Sequence, residues 1–136
     1  MKRTTLTVDA VIEIVGKIVL IKRRGRGFKG YWALPGGHVN YMEKVEHAAV
    51  REAKEETGLK TRLIGLIGVY SDPKRNPDNE HRVAIAFSAK KISGKLKSGD
   101  DAEEAALFSE KEIGSMKLAF DHSKILKDYF KQEARK

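Results

Sequence analysis

An α/β domain is what this chain predicts, and three observations carry the expectation. Segments rich in β-branched residues with two-residue alternation recur along it. A strongly acidic helix follows a glycine turn in the first half, and an apolar-striped helix closes the chain. Its 136 residues suit one domain over 1–136, long enough to bury roughly two-thirds of the unfolded surface.

Thr4 to Ile14 alternates and is β-branched, which predicts a strand; Val15-Gly16-Lys17 turns it into a second strand over Ile18–Lys22, a hairpin. Arg23 to Gly30 is a basic glycine loop. It contains a formal GxGxxG at Gly25, Gly27 and Gly30, but runs into Tyr31-Trp32-Ala33-Leu34-Pro35 rather than a helix. No helix N-terminus is there to hold a pyrophosphate, so the dinucleotide reading is rejected. A helix is predicted over Glu43–Thr57, with Gly58 as its left-handed cap. Lys60–Ser71 and His81–Lys91 read as strands separated by the polar loop Asp72–Glu80, which holds two prolines. Asp100 to Phe108 reads as a loop entering a short strand. Ser109 and Glu112 have capping-box spacing, and a last helix over Asp121–Gln132 carries Ile125, Leu126, Tyr129 and Phe130 as its stripe. The lysine-rich tail beyond it is expected to fray.

Composition narrows the function classes. No apolar run reaches the ~18 residues of a membrane span, and MKRTTLTVDA has no signal-peptide core, so no membrane partner is expected. With no cysteine, disulfides and thiolate metal sites are excluded, and a cytoplasmic location is expected. Lys and Arg number 27 against 19 Asp and Glu, a net charge of +8 that suits polyanionic partners. No basic stripe with interleaved aromatics accompanies it, so nucleic acid is not expected as a partner.

The chemistry concentrates in the acidic helix. Glu52, Glu55 and Glu56 fall three and four residues apart on one face, where like charges cost ~0.2–0.5 kcal/mol per pair. Val45, Ala49 and Ala53 line another face. A solvated acidic face is the plain alternative, but a hard divalent cation with oxygen ligands would relieve the repulsion.

The surrounding spacing is strict. Gly37, Glu43, Arg51-Glu52, Ala53, Glu55-Glu56, Gly58 and Leu59 fill every specified position of G-x5-E-x7-R-E-U-x-E-E-x-G-U, where U is aliphatic. This resembles the Nudix box, and IVLIKRR followed by GYWALPGG resembles the usual approach to it. The resemblance implies a mixed β-sheet sandwiched between helices (α/β/α) and metal-dependent cleavage of a nucleoside diphosphate linked to another moiety. It implies Mg²⁺ as cofactor, with Mn²⁺ as a substitute, and leaves a homodimer open. Residue by residue, it implies Glu52, Glu55, Glu56 and the Gly37 carbonyl as metal ligands. Glu52 is then the leading base toward the attacking water, and Arg51 orients a neighbouring carboxylate. Glu43 supports the helix start or the ligand shell. A further glutamate from DDAEEAALF is expected, best Glu104 with Glu103 as alternate, in competition with Glu52 for the role of base.

Substrate choice lies outside the box. Pro73, fifteen residues after Gly58, resembles the proline of the ADP-ribose pyrophosphatase branch, which implies ADP-ribose hydrolysis to AMP and ribose 5-phosphate. Turn-making alone would also explain a proline in that loop. Arg23, Arg24 and Arg26, with Lys29 beside them, are candidate phosphate contacts or merely solvated cations. Tyr70, Trp32, Phe28 and Phe87 are the aromatics available to stack on a base. Two other readings stand beside this one: a hydrolase of oxidised nucleoside triphosphates, and a non-catalytic nucleotide- or RNA-binding module. An intact box argues against the module.

Overall fold

The computed structural model describes residues 2–25, 27–76, 79–99 and 102–136. Seven strands form one mixed sheet: β1 (Thr4–Ile14), β2 (Lys17–Arg23), β3 (Trp32–Ala33), β4 (Gly36–His38), β5 (Lys60–Tyr70), β6 (His81–Ser93) and β7 (Ala102–Phe108). Helix α1 (Val45–Thr57) follows β4; α2 (Glu110–Gly114) and α3 (His122–Ala134) follow β7. β1 runs parallel to β6 along nearly its whole length, and β6 pairs antiparallel with the edge strand β5. The described part of the chain is therefore α/β with helices on both faces of a mixed sheet.

Strand parity assigns the faces. Val8, Ala10 and Ile12 are fully or almost fully buried and pack with Ala48, Ala49 and Ala53 of α1. Val11 faces the opposite way, in a cluster with Ile125, Leu126 and Tyr129 of α3. Valine, leucine and isoleucine side chains contribute about 1.5–3 kcal/mol each on full burial, so the apolar stripe of α3 and the valines and isoleucine of β1 account for most of the layering energy.

One departure from a regular hairpin positions the site. β1 and β2 pair only at the Val15-Gly16 turn, through Glu13↔Ile18 and Ile14↔Lys17, and then diverge. The Trp32–His38 segment fills the gap: β3 pairs with β2, β4 pairs with β1, and the Ala10 N–H donates to the Pro35 carbonyl at 2.9 Å. The fit is so close that a Cβ on Gly36 would overlap the Val8 carbonyl and the Asp9 carboxylate.

Helix α1 begins at Val45 rather than Glu43. Met42 has φ +66°, and the Glu43 N–H donates to the Asn40 carbonyl, so these residues make a tight turn before the helix. The other end is as expected, with Gly58 at φ +77°. Lys97 and Gly99 N–H groups donate to the Thr57 and Glu56 carbonyls there, satisfying C-terminal acceptors that a helix leaves unpaired. Ser109 and Glu112 form the anticipated capping box on α2. The tail does not fray within the described residues: α3 continues to Ala134.

Candidate active site

A cleft of about 780 Å³ opens where β1, β2 and β4 meet. Its lining includes Asp9, Arg23, Phe28, Gly36, Gly37, Glu52, Glu56, Arg75, Asn76, Phe120 and His122. Glu52 and Glu56 lie on α1, one turn apart, and reach the cleft beside β4. Glu56 is 8% exposed and accepts the Gly36 N–H at 2.6 Å. Burial pushes its carboxyl up to about 8. The neighbouring Glu52 and Asp9 charges add to that shift, while the Gly36 N–H and the Arg23 charge oppose it. A Cβ on Gly37 would overlap the Glu52 carboxylate, so glycine here leaves the space that the carboxylate occupies.

Arg51 ties the helix face together. It donates to Glu43 with two nitrogens (2.8 and 3.0 Å), to Glu52 at 2.8 Å and to the His38 carbonyl at 3.0 Å. It also reaches Glu55 at 3.3 Å. The planar guanidinium satisfies these groups at once, which a lysine could not. Glu43 gains a second donor from the Asn40 N–H, and the two interactions hold its carboxyl down at about 2. Glu43 thereby ties Arg51 to the turn before α1.

The opposite wall comes from distant segments. Arg75 makes a two-nitrogen pair with Asp121 (2.8 and 2.7 Å), joining the 73–76 turn to the start of α3. His122, 3% exposed, accepts the Leu34 N–H on Nδ1, so its neutral ring carries hydrogen on Nε2, which lies 3.4 Å from Asp9. Asn76, also 3% exposed, accepts from Arg82 through Oδ1 at 3.2 Å, and its Nδ2 has no partner. The Arg23 guanidinium lies 4.8 Å over the Phe120 ring.

Residues 3–129 match the family model described as the NUDIX domain. The chain belongs to the Nudix family. It is 52% identical over 126 residues to the ADP-ribose pyrophosphatase of Methanocaldococcus jannaschii, covering 93% of this chain and 73% of that protein. In structure it is similar to a MutT/nudix family protein from Enterococcus faecalis: TM-score 0.85, 30% identity, 100% of this chain and 64% of that one. The chain thus spans just under two thirds of that protein. The NUDIX domain of Shewanella oneidensis NrtR, solved with ADP ribose, superposes with a TM-score of 0.86 over 97% of this chain and 90% of that one. At 23% identity that likeness shows the fold alone.

The Nudix fold implies a divalent cation, and the donor set here fits one. Glu52, Glu56 and the Gly37 backbone offer hard oxygen at a point where a side chain on residue 37 would block access. Among the described residues, no three His, Asp or Glu side chains converge closely enough to hold a metal by themselves. Glu55 does not line the cleft; its side chain is 47% exposed and turned to Arg51.

The other Nudix expectations divide by position. Arg23 lines the cleft, whereas Arg24 is exposed outside it, and Arg26 lies outside the described residues. Glu104 sits opposite Lys22 on β7, which pairs with β2 on the side away from β4, and does not line the cleft; the Glu103 side chain lies outside the described residues. Pro73 is an exposed residue opening a short 3-10 turn and does not line the cleft, whereas Arg75 and Asn76 just after it do. Of the four candidate aromatics, only Phe28 lines the cleft. Tyr70 is buried with its hydroxyl on Asp128, Phe87 packs against α1, and Trp32 stacks edge-on with Phe108. Asp9, Arg75, Asn76, Phe120 and His122 are absent from the sequence reading. Asp9 had a signal: it is a carboxylate in the middle of an otherwise apolar strand half, TVDAVI.

Proposed function

We propose that this Nudix protein hydrolyses ADP-ribose to AMP and ribose 5-phosphate, with Mg²⁺ as its cofactor. The observation carrying the hydrolytic half is the pair Glu52 and Glu56 beside Gly37 in one cleft with Arg23. Similarity to the M. jannaschii ADP-ribose pyrophosphatase across 93% of the chain supports the substrate. Glu52, Glu56 and the Gly37 carbonyl would hold the cation, with Glu55 as the further carboxylate that the box supplies. A divalent ion bound there would polarise phosphate oxygens and make water easier to deprotonate.

Each residue then has a task. Glu52, held by Arg51, takes the proton from the attacking water. Oxygen adds to one phosphorus of the pyrophosphate, the bridging P–O bond breaks, and the departing phosphate carries the second product. Arg23 places positive charge beside the phosphates, where a guanidinium matches two oxygens. Glu56 accepts the Gly36 N–H, which would hold this ligand against a rigid stretch of backbone. The cytoplasm is the proposed location, and the cysteine-free composition supports it. The described residues hold no helix long and apolar enough to cross a membrane.

The test is AMP release from ADP-ribose with Mg²⁺, run beside a panel of nucleoside triphosphates. Preference for ADP-ribose supports the proposal. Turnover of triphosphates alone would keep the hydrolytic site and remove the substrate.

A further inference from the structure

Among the described residues, two buried side-chain polar atoms lack a hydrogen-bond partner: Thr61 Oγ1 and Asn76 Nδ2. Thr61 belongs to the edge strand β5 and does not line the cleft; Asn76 does. A buried donor left unpaired is costly, so folded proteins rarely keep one without a use. Asn76 is 3% exposed, and the orientation of its amide is fixed. Oδ1 accepts from Arg82 at 3.2 Å, and a flipped amide would set N–H against N–H there. Nδ2 is therefore the side of the amide left open.

The turn that carries Asn76 is fixed by its own contacts. Asp72 accepts the Lys74 N–H at 2.9 Å, closing the short 3-10 turn Pro73–Arg75. Arg75 is locked to Asp121 through two nitrogens and also donates to the Arg82 carbonyl at 3.2 Å. Arg82 in turn holds Asn76. A donor on so constrained a turn loses little freedom when it meets an acceptor.

The surroundings decide which acceptor fits. Asp9 and Glu80 line the cleft with Asn76, two carboxylates that repel phosphate and accept from hydroxyls. The charge of Arg75 beside Asn76 is matched by Asp121, whereas Arg23, the cation proposed for phosphate, lies over Phe120. A base edge fits no better. An amide reads adenine by pairing both of its atoms, and Oδ1 is already taken by Arg82. The partly accessible rings of the cleft, Phe28 and Phe120, both on left-handed backbone, pack on Ile21 and Ala33 of β2 and β3. Asn76 is held from β6, on the other edge of β1, away from any flat ring of the β2 side. What remains is an uncharged oxygen that accepts from an amide and donates to a carboxylate, which is a sugar hydroxyl. We infer that Asn76 is a specificity-determining residue whose Nδ2 donates to a hydroxyl of the ribose beyond the diphosphate. A site built to pair a hydroxyl discriminates strongly, because an analogue without one leaves its buried polar groups unpaired. The inference rests on the proposed ADP-ribose hydrolysis.

The experiment measures binding of ribose 5-phosphate and of AMP by calorimetry, with Mg²⁺ present, to the wild type, Asn76→Ala and Asn76→Asp. Alanine deletes the donor. Aspartate keeps the shape and the contact with Arg82 but puts an acceptor where the donor was, so it separates loss of the donor from loosening of Arg82. Ribose 5-phosphate affinity should fall about tenfold in Asn76→Ala and at least as far in Asn76→Asp, with AMP affinity unchanged within about twofold. Equal weakening of the two probes overturns the assignment, because a merely structural residue would move both or neither. Wild-type affinity for ribose 5-phosphate in either variant overturns it too, as does a loss confined to AMP, which would place the donor on the nucleoside half. Absence of ribose 5-phosphate binding to the wild type has the same consequence. If the wild type binds ribose 5-phosphate through Asn76 yet leaves ADP-ribose intact, the substrate proposal fails and the role of Asn76 stands.

Discussion

The two walls of the cleft are held by opposite means. On the α1 side, one arginine gathers Glu43, Glu52, Glu55 and the His38 carbonyl, all within eighteen residues of one another. On the far side, Asp9, Arg75, Phe120 and His122 come from β1, the turn before β6 and the start of α3, joined by contacts spanning 46 to 113 residues. The near wall is a charge network with its partners supplied. The far wall contains a buried amide nitrogen without one, two strained aromatics and a buried histidine. Local ion pairs set the proposed ligand carboxylates. Long-range packing shapes the space that a substrate must fill.

Breaking the near wall should have the largest effect. Replacing Glu56 with Gln removes a proposed cation ligand; since even groups behind a metal's ligands cost 10–100-fold, activity should fall about a hundredfold or more in an initial-rate assay. The same substitution should change stability in the other direction. Glu56 titrates at about 8 when folded, against an ordinary 4.5. A raised folded value means that its contribution is fully present below 4.5 and is lost as pH rises through 8. Metal-free wild type should therefore lose on the order of a few kcal/mol across that window in denaturant titrations, and Glu56→Gln should not.

Gly37→Ala probes the same wall without touching a charge. The new methyl must displace the Glu52 carboxylate, and misplacement of this kind can cost on the order of a hundredfold in kcat. Normal turnover in a folded Gly37→Ala variant would show that Glu52 need not lie over residue 37. Asp121→Ala attacks the far wall. It leaves the Arg75 side chain, 5% exposed, without its carboxylate, so thermal or chemical unfolding should register a loss of about 3 kcal/mol. The kinetic consequence should be smaller and fall on KM, because Glu52, Glu56 and Arg51 are untouched.

The sequence made the two walls unequally legible. The box residues announce themselves because a helix and its preceding turn convert fixed spacing into a shared face. The strands β1, β5 and β6 were readable from alternation, and α3 from its stripe. The far wall was hidden because nothing local marks Phe120 or His122: they read as the residue before a helix and part of its first turn, and residues 118–119 dock onto β3 beside them. Pro73 opens the 3-10 turn without lining the cleft, and Arg75 and Asn76 just after it face the cleft with no local signal to mark them. Glu104, expected from the resemblance alone, could not be placed from its local sequence. Its place depends on which edge of β2 the last strand takes, and β7 takes the edge away from β4.

The most direct test of the cation site is a pair of thermal melts at pH 8, with and without Mg²⁺, on the wild type and on Glu56→Gln. Mg²⁺ should raise the melting temperature of the wild type by several degrees, because a cation that binds only the folded chain offsets the buried carboxylate. It should leave Glu56→Gln nearly unmoved. Equal stabilisation of both proteins, or of neither, would contradict the placement of the cation at Glu56.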